Sequence, residues 1–345
     1  MAEERAAAAQ PADTDPAGDA GRRGVEGMGR GEGGTGRAYR LLALDLDGTV
    51  LTPKGTVSPR VRRAVRRALR AGVRVTLATG RVLPSAWVYA RLLGLRGPLV
   101  VSDGAVLAEV GGRGSPSGSG AGSGGRSPWT VLDVRPFPRD LAAAVVDDLL
   151  AAGCPVVVQF PEFLASSRRP PVGTLVRSLA LPFLRHYWVL RRYTRVVPGR
   201  RLARFVAVAP QPPVKISALG LAEALRPLEQ RIRDRYGEAL RLTHSGPGSF
   251  DLLPPGTHKA AGLARLAARL GLAREQVVAV GDNDNDCEML RWAGLGVAMG
   301  NAAPEVRRCA DWVTDPNWQD GVARLIDEVL LAGGDPARAG GPRSP

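Results

Sequence analysis

The chain has little that would place it in a membrane or direct it out of the cell. Glycine, proline or charged residues interrupt every apolar run before about 18 residues, which is near the minimum for a transmembrane helix. The first residues, Met-Ala-Glu-Glu-Arg, lack the basic and then apolar layout of a secretory signal. The 345 residues leave room for about two domains. We therefore expect a globular protein of the cytoplasm.

Cysteine is also scarce. The three cysteines, Cys154, Cys287 and Cys309, lie far apart in the chain, and no C-x-x-C pair occurs. An odd number of widely spaced cysteines argues against both a disulfide framework and a structural zinc site. We expect all three to be reduced thiols.

Lysine is rare for so basic a chain. Of 47 basic residues only Lys54, Lys215 and Lys259 are lysine, and the net charge is +14. Such a charge suits a nucleic-acid backbone when the basic residues form one face. The arginines instead recur along predicted helices such as 60–70, without the interleaved aromatic residues that would stack on bases. The sequence therefore argues against specific nucleic-acid binding, and its Arg, Ala, Gly and Pro content is typical of a GC-rich coding sequence.

Two carboxylates follow the apolar run at residues 41–44. This run is typical of a strand that is buried on both faces in a parallel sheet. Asp45 and Asp47 come directly after it, at the carboxyl end of the strand, where such sheets bind ligands. Gly48 lets the backbone turn away sharply, which would leave both acids near one point. A cation or a phosphate could bind there, although Asp and Gly at a strand end often form only a turn.

A second polar stretch is predicted at the same edge of the sheet. Ser58-Pro59 predicts the start of a helix that ends before Gly72, and a strand at 73–78 follows. In a strand-helix-strand unit the second strand lies parallel to the first and next to it. The hydroxyl of Thr79 and the backbone N–H of Gly80 could then bind a phosphoryl oxygen, although Thr-Gly-Arg alone is more often a turn.

Two more stretches add charge to this edge. Lys259 opens a helix predicted at 259–270, where its ammonium could neutralise a phosphate; a solvated lysine at the helix start is the alternative. The predicted strand 276–280 ends in Gly-Asp-Asn-Asp-Asn-Asp, residues 281–286. Several acids at one strand end repel each other unless a cation is present, and oxygen ligands favour a hard ion such as Mg²⁺.

As a set, these motifs resemble those of the haloacid dehalogenase superfamily. The shared pattern consists of Asp45-Leu-Asp47-Gly-Thr, Thr79-Gly-Arg, Lys259, and Gly281-Asp282 with Asn285-Asp286. Similarities to its Cof-type sugar-phosphatase branch are Ser102-Asp103-Gly-Ala, Met299-Gly-Asn301-Ala and Asp320-Gly-Val. In that branch a large cap is inserted between the second and third motifs.

The resemblance implies a Mg²⁺-dependent phosphatase that hydrolyses small phosphorylated metabolites through an aspartyl-phosphate. Asp45 would be the nucleophile, and Asp47 would be the general acid and base. The phosphoryl-binding residues would be Thr79, Gly80 and Lys259. The Mg²⁺ ligands would be the Asp45 carboxylate, the Asp47 carbonyl and Asp282, oriented by Asn285 and Asp286.

The fold class implied by the resemblance is α/β, with a doubly wound, Rossmann-like parallel sheet as the core and an inserted α+β cap. The predicted limits are a disordered N-terminal tail at 1–37, the core at 38–110 and 249–333, a flexible Gly/Ser-rich loop at 111–128, the cap at 129–248, and a C-terminal tail at 334–345. Within the cap we predict a strand at 205–209 and a helix at 219–236. The aromatic and Arg-rich stretch 165–198 is either cap surface or the face that selects the substrate.

One residue departs from the family pattern, and two other functions remain open. Asp103 stands where the Cof-type pattern usually has Asn, which adds negative charge beside a site for an anion. A phosphomutase or phosphotransferase would use the same aspartyl-phosphate. A nucleic-acid-associated or regulatory protein with a weak site is the alternative from a different class. The sequence names neither the substrate nor the oligomeric state.

Overall fold

The computed structural model describes residues 39–111, 127–168, 189–244 and 248–333, and the statements below concern these residues. The two predicted tails, most of the predicted Gly/Ser-rich loop and residues 169–188 of the aromatic stretch lie outside the described residues.

The described strands, in chain order, are β1 Leu41–Leu44, β2 Arg74–Leu77, β3 Gly97–Val101, β4 Val106–Val110, β5 Trp129–Val134, β6 Val156–Gln159, β7 Leu164–Ser166, β8 Thr194–Val196, β9 Lys215–Leu219, β10 Arg241–Thr243, β11 Ser249–Leu253, β12 Val277–Gly281, β13 Leu295–Ala298 and β14 Trp312–Val313.

The α-helices of the same segments are α1 Pro59–Arg70, α2 Leu83–Leu93, α3 Arg139–Ala151, α4 Arg201–Val208, α5 Ala222–Tyr236, α6 Lys259–Arg269, α7 Cys287–Trp292, α8 Pro304–Arg307 and α9 Gly321–Leu325. A π-helical segment, Ile326–Leu331, continues α9. None of the described helices is both long and apolar enough to cross a membrane.

The central sheet is parallel and has the order β14-β13-β12-β1-β2. All four residues of β1 are buried, as expected for a strand with neighbours on both sides and helices on both faces. Strands β1 and β2 pair in parallel, with Leu41 opposite Arg74. The predicted strand-helix-strand unit and the predicted parallel α/β core are therefore confirmed. The carboxyl ends of β1, β2 and β12 lie at one edge, where the polar stretches follow.

The helix between β1 and β2 forms for local reasons. The Ser58 hydroxyl accepts a hydrogen bond from the backbone N–H of Val61, and Pro59 occupies the first turn, where a missing N–H costs nothing. One face of α1 is buried, through Val61, Ala64, Val65 and Ala68. The buried face packs α1 against the core, and the direct pairing of β1 with β2 sets the distance between the motifs that follow the two strands.

A second sheet forms the cap. Its order is β10-β11-β9-β6-β7-β8, and a separate hydrophobic cluster lies between this sheet and helices α3, α4 and α5. Strand β11 pairs with β9 and β10, whereas β5 pairs with β4 in a small antiparallel sheet with β3. The division into core and cap remains a prediction. By sheet membership β5 falls outside the cap sheet and β11 falls inside it, so each limit of the predicted cap, 129–248, moves by one strand toward the C-terminus.

One predicted element of the cap was wrong. Residues 205–209, predicted as a strand, belong to helix α4 or follow it directly. Leu202, Ala203 and Val206 are buried in the cap cluster, so a helical spacing of apolar residues directs this segment inward. The apolar, β-branched run Phe-Val-Ala-Val hid that spacing, because a short apolar run suits both structures.

The expectation of three reduced thiols was also wrong. Cys287 and Cys309 form a disulfide, with Cα atoms 5.3 Å apart, while Cys154 is free and buried. Cys287 opens α7 and Cys309 follows α8; Cys309 belongs to the hydrophobic cluster beside β12 and β13, and Cys287 packs against it. The 22-residue separation of the two cysteines along the chain conceals this proximity.

This disulfide predicts both a thiol count and a loss of stability. Unfolded protein that has not been reduced should show one titratable thiol, Cys154, and a peptide map should contain a linked Cys287–Cys309 pair. Because the bond closes a loop of 22 residues, replacing both cysteines with serine should lower the free energy of unfolding by about 3 kcal/mol. Cys154→Ser is the control, since it leaves the linked pair intact. Three free thiols in the unreduced protein would contradict the prediction.

Candidate active site

The backbone turns immediately after β1. Asp45 is extended, with φ −69° and ψ 163°, whereas Gly48 has φ 79°, a conformation in which a side chain is strained. A Cβ atom on Gly48 would lie 2.0 Å from Oδ2 of Asp282. The hydroxyl of Thr49 donates to Oδ1 of the same Asp282 at 2.8 Å. The absent side chain at Gly48 thus lets the turn after β1 pack against the end of β12.

Three carboxylates from two motifs meet below this turn. One oxygen from each of Asp45, Asp282 and Asp286 lies within 4.8 Å of the others. Asp45 and Asp286 are buried, and Asp282 is partly buried. The ammonium of Lys259 donates to Oδ1 of Asp45 at 2.8 Å and to Oδ1 of Asp286 at 2.7 Å. Residues far apart in the chain therefore form one buried ionic cluster.

The start of α6 places Lys259 in this cluster. The imidazole of His258 accepts a hydrogen bond from the backbone N–H of Ala261 and so caps the helix. The helix also approaches the loop after β3 very closely. A Cβ atom on Gly104 would lie 2.2 Å from the carbonyl oxygen of His258, and one on Gly262 would lie 2.6 Å from Cα of Gly104. Because both positions are glycine, α6 can pack closely against the loop after β3. The ammonium of Lys259 therefore lies buried against the acids and not in solvent.

Asp286 also organises the loop after β12. Its Oδ2 accepts hydrogen bonds from the backbone N–H groups of Asp282 and Asn283, at 3.0 and 3.1 Å. Its other oxygen binds Lys259. The carboxylate thereby holds both the loop that carries Asp282 and the ammonium that faces Asp45.

Burial and mutual repulsion shift the protonation of these groups. Burial, opposed by Lys259 and reinforced by Asp286 and Asp282, raises the pKa of Asp45 well above its usual value of 3.8. Burial and the neighbouring Asp286 raise the pKa of Asp282 to about 7. Burial alone would lower the pKa of Lys259, but Asp286 and Asp45 raise it. Three carboxylates thus share the charge of one ammonium, and a further cation would stabilise their ionised forms.

The donor set fits a divalent cation. Mg²⁺ binds oxygen ligands, and the three facing carboxylates supply them. The predicted ligands Asp45 and Asp282 belong to this cluster. The carboxylate of Asp47 lies outside it, and the prediction assigned only the carbonyl oxygen of Asp47 to the metal. Asp286, predicted to orient the ligands, lies inside the cluster. The assignment of a ligand or an orienting role to each residue stays a prediction.

Mg²⁺ binding should therefore release protons near neutral pH. Since the pKa of Asp282 is about 7, this carboxyl carries a proton in much of the protein at pH 6.5 and must lose it to bind a cation. The apparent affinity for Mg²⁺ should rise as the pH increases through about 7 and level off above about 8. Calorimetric titrations in two buffers of different ionisation enthalpy measure the protons released.

The control variant is Asp284→Asn, since Asp284 is an exposed acid in the same loop and lies outside the cluster. It should keep the proton release. A Mg²⁺ affinity that is constant from pH 6 to pH 8.5 would contradict the prediction.

Asp47 lies outside the acid cluster. Its side chain is 59% exposed, and both carboxylate oxygens accept hydrogen bonds from the guanidinium of Arg81, at 2.6 and 2.5 Å. Arg81 also donates to Ser85 and to the hydroxyl of Tyr89, at 3.3 and 3.4 Å. This two-pronged contact is rigid, and it orients Asp47 from one side. The sequence offered Thr-Gly-Arg only as a phosphate-binding turn and did not predict this role for Arg81.

A cavity of about 250 Å³ is lined by most of the predicted site residues. Its lining includes Asp45, Asp47, Thr79, Gly80 and Lys259, together with Asn285. The structure therefore brings both predicted catalytic residues and all three predicted phosphate-binding residues to one place. Asn285 is the exception in its contacts, because its amide donates to Asp103 at 3.0 Å and not to an acid of the cluster.

Sequence reasoning missed other residues around this cavity. Asn301 donates to the carbonyl oxygen of Gly48 at 2.9 Å and contacts Asp282 at 3.4 Å, so it holds the turn after β1 to the acid cluster. Its signal was the motif Met299-Gly-Asn301, which was used only to recognise the family. The cap contributes further lining residues, namely Gln159, Lys215, Ser217, Leu219, Ser249 and Asp251.

Comparison with known proteins identifies the family. A model of the haloacid dehalogenase-like hydrolases matches residues 42–113 and 204–326, which together make up more than half of the chain. The chain therefore belongs to the haloacid dehalogenase-like hydrolase family. The two matched segments contain every predicted catalytic, phosphate-binding and metal-ligating residue.

Similar proteins align along almost their whole length. The Putative phosphatase YxeH of Bacillus subtilis (strain 168) is 28% identical over 297 residues, which cover 85% of this chain and 99% of that protein. Pyridoxal phosphate phosphatase YbhA of Escherichia coli (strain K12) is 27% identical over 299 residues, with coverage of 85% and 99%. A solved haloacid dehalogenase-like hydrolase from B. subtilis is 26% identical, with a TM-score of 0.68, and is matched over 85% of this chain and 100% of that one. The predicted superfamily, its Cof-type branch and the enzyme class, a phosphatase, are confirmed.

Proposed function

We propose that the protein is a Mg²⁺-dependent phosphatase that hydrolyses monoesters of small phosphorylated metabolites through an aspartyl-phosphate on Asp45. The observation that carries this proposal is a cavity lined by Asp45, Asp47 and Lys259, where Asp45 is paired with Lys259 and belongs to the acid cluster that contains Asp282. Asp45 directly follows the central strand β1 and is buried, so holding its carboxylate in position for attack costs little conformational freedom.

Two displacements account for the separate positions of the two acids. In the first, an oxygen of Asp45 attacks phosphorus, and the ester oxygen leaves with a proton from Asp47. In the second, Asp47 takes a proton from a water molecule, which attacks phosphorus and releases phosphate, restoring Asp45. Asp47 can serve both steps by position, since its exposed side chain lines the cavity and is oriented by Arg81.

The remaining residues serve the charge of the phosphoryl group. Lys259 neutralises part of it, and the hydroxyl of Thr79 and the N–H of Gly80 donate hydrogen bonds to its oxygens. A Mg²⁺ ion held by Asp45, Asp282 and the carbonyl of Asp47 would supply the further positive charge that phosphoryl transfer requires. Asp286 and Asn285 position these groups through their contacts with Lys259 and Asp103.

The size of the site supports a small substrate. A cavity of about 250 Å³ lies below the usual range for drug-sized ligands, roughly 300–1,000 Å³. Similarity to a pyridoxal phosphate phosphatase supports the same size class. A cytoplasmic location is part of this proposal, since soluble phosphorylated metabolites are found there.

A screen of released phosphate tests the proposal. Phosphorylated sugars, nucleotides and cofactor phosphates are incubated with the protein in Mg²⁺ or in excess chelator. We expect Mg²⁺-dependent release from several small monoesters, and incorporation of one ¹⁸O from labelled water into the phosphate. Transfer of the phosphoryl group to a second substrate hydroxyl, without ¹⁸O incorporation, would identify a phosphotransferase instead. Absence of release from every ester in Mg²⁺ would overturn the proposal.

A further inference from the structure

A second buried ionic group joins the cap sheet to the core beside the cavity. The ammonium of Lys215, in β9 of the cap, lies 2.6 Å from Oδ2 of Asp103 and 2.8 Å from Oδ2 of Asp251 in β11. These three side chains, here called the ionic triad, are only 2–3% exposed. The ammonium also lies 3.4 Å from the carbonyl oxygen of Gly80, in the predicted phosphate-binding loop.

Each member of the triad is fixed by its surroundings. Asp103 has φ 52°, and its other oxygen accepts a hydrogen bond from Asn285. The hydroxyl of Ser217 donates to Oδ1 of Asp251 at 2.5 Å. Ser217 and Asp251 are opposite each other in the paired strands β9 and β11, and Lys215, two residues before Ser217, lies on the same face. The cap sheet therefore presents the ammonium directly to Asp103.

The triad also explains the unusual residue at position 103. An aspartate there would place an uncompensated charge beside the phosphate-binding loop, but Lys215 compensates it. Burial alone would raise the pKa of Asp103, and Lys215 and Lys259 lower it below its usual value instead. Burial would lower the pKa of Lys215, and Asp103 and Asp251 raise it. The two ion pairs join two carboxylates to one ammonium, so the triad carries one net negative charge.

The position of this charge bears on the leaving group. Of the charged lining residues, Lys259 and Arg81 belong to the core, whereas Lys215 and Asp251 belong to strands of the cap sheet. The other cap residues in the described part of the lining are uncharged, namely Gln159, Ser217, Leu219 and Ser249. A leaving group that extends toward the cap therefore meets amide and hydroxyl groups around a site of net negative charge.

We propose that the ionic triad of Asp103, Lys215 and Asp251 determines specificity by selecting phosphate esters whose leaving group is uncharged and rich in hydroxyl groups. A second anionic group on the substrate, such as a carboxylate or another phosphate, is repelled by the net charge of the triad. A unit charge about 10 Å away in partly screened surroundings corresponds to a preference of roughly tenfold. This inference rests on the phosphatase function proposed above.

Two three-carbon esters that differ at one carbon test the inference. Glycerol 3-phosphate has an uncharged leaving group, and 3-phosphoglycerate has a carboxylate in place of one alcohol. The measured quantity is the ratio of kcat/KM for the two esters in Mg²⁺. If turnover is slow, the ratio of their inhibition constants against p-nitrophenyl phosphate hydrolysis replaces it. We expect the wild-type protein to favour glycerol 3-phosphate by about tenfold.

Variants of the triad should shift this ratio in opposite directions. Asp251→Asn removes one negative charge and should bring the ratio close to one, whereas Lys215→Gln leaves two carboxylates and should increase it. Asp103→Asn also removes one negative charge from the triad, at the other partner of Lys215. It replaces Asp251→Asn if that variant does not fold. A purely structural role would change turnover of both esters equally and leave their ratio unchanged.

A matched control and two contrary outcomes complete the design. Asp148→Asn removes one negative charge on the cap beside Arg235 and Tyr236, outside the cavity lining, and should leave the ratio at its wild-type value. A wild-type ratio of one or less, or one that is the same in every triad variant, would overturn the inference while turnover persists. Failure of the proposed function would look different, since no ester, including p-nitrophenyl phosphate, would then be hydrolysed.

Discussion

Asp45→Asn should abolish Mg²⁺-dependent hydrolysis of p-nitrophenyl phosphate, with a fall in kcat of at least about four orders of magnitude. The amide keeps the shape of the side chain and can still accept a hydrogen bond from Lys259. It lacks the negatively charged oxygen that would attack phosphorus, so neither displacement can begin.

The same substitution should not destabilise the metal-free protein. The pKa of Asp45 is raised in the folded state, so the folded protein binds that proton more tightly than the unfolded chain does. Ionisation of Asp45 therefore lowers the free energy of unfolding as the pH rises above about 3.8, the pKa of this group in the unfolded chain. Asparagine removes this cost, and we expect Asp45→Asn to unfold at a higher temperature than the wild type at pH 7 without Mg²⁺.

Asp45→Asn should thus lower the rate of phosphate release and raise the unfolding temperature. Phosphate release reports the loss of the nucleophile, and thermal unfolding in chelator reports the relief of buried charge. Asp284→Asn, in the same strand-end region but outside the acid cluster, should change neither by much. Turnover that survives in Asp45→Asn would remove Asp45 from the role of nucleophile, and a lower unfolding temperature would show that its carboxylate stabilises the fold.

The core of the site could be predicted because its chemistry follows strand ends. A buried apolar run fixes β1, and the residues after it must emerge at the carboxyl edge of a parallel sheet. The same argument holds for Thr79 after β2 and Asp282 after β12, so three distant motifs converge without any knowledge of loops. The position of Lys259 could be predicted only if a helix begins at the same edge, and the sequence around Lys259 indicates such a helix.

The cap side could not be predicted in the same way. Its strands run in a mixed, largely antiparallel sheet, and no rule directs strand ends of such a sheet toward the cavity. Lys215 nevertheless left a signal. Only three lysines occur in the chain, and Lys215 and Lys259 are both buried beside the cavity. The scarcity of lysine in a chain that otherwise uses arginine therefore marks Lys215 as much as Lys259.

Other failures arose from long-range contacts that the sequence does not encode locally. The Cys287–Cys309 disulfide depends on how α7 and α8 pack, which cysteine spacing does not reveal. Arg81 belongs to a motif typical of phosphate binding, yet its guanidinium contacts Asp47 because α2 places Ser85 and Tyr89 behind it. In each case the partner of the side chain is brought to it by the tertiary structure.

Gly48→Ala should separate backbone strain from damage to the site. Gly48 and Gly94 share a φ of 79°, so alanine at either position should cost about 1–2 kcal/mol of stability from the left-handed backbone. Their surroundings differ completely. A Cβ atom at Gly48 would lie 2.0 Å from Oδ2 of Asp282, whereas a Cβ atom at Gly94 would have no atom within 4 Å.

Only the alanine at Gly48 must therefore displace a carboxylate of the acid cluster. Because Asp282 also accepts a hydrogen bond from Thr49, moving it disturbs the turn that carries Asp47. We expect Gly48→Ala to lower kcat/KM by at least about a hundredfold and to weaken Mg²⁺ binding, since displacements of about 1 Å have effects of this size. Gly94→Ala should lose similar stability but keep wild-type turnover. Equal activity in the two variants, measured at saturating Mg²⁺, would mean that Asp282 can move away from the turn without consequence, and its proposed role as a metal ligand would then fail.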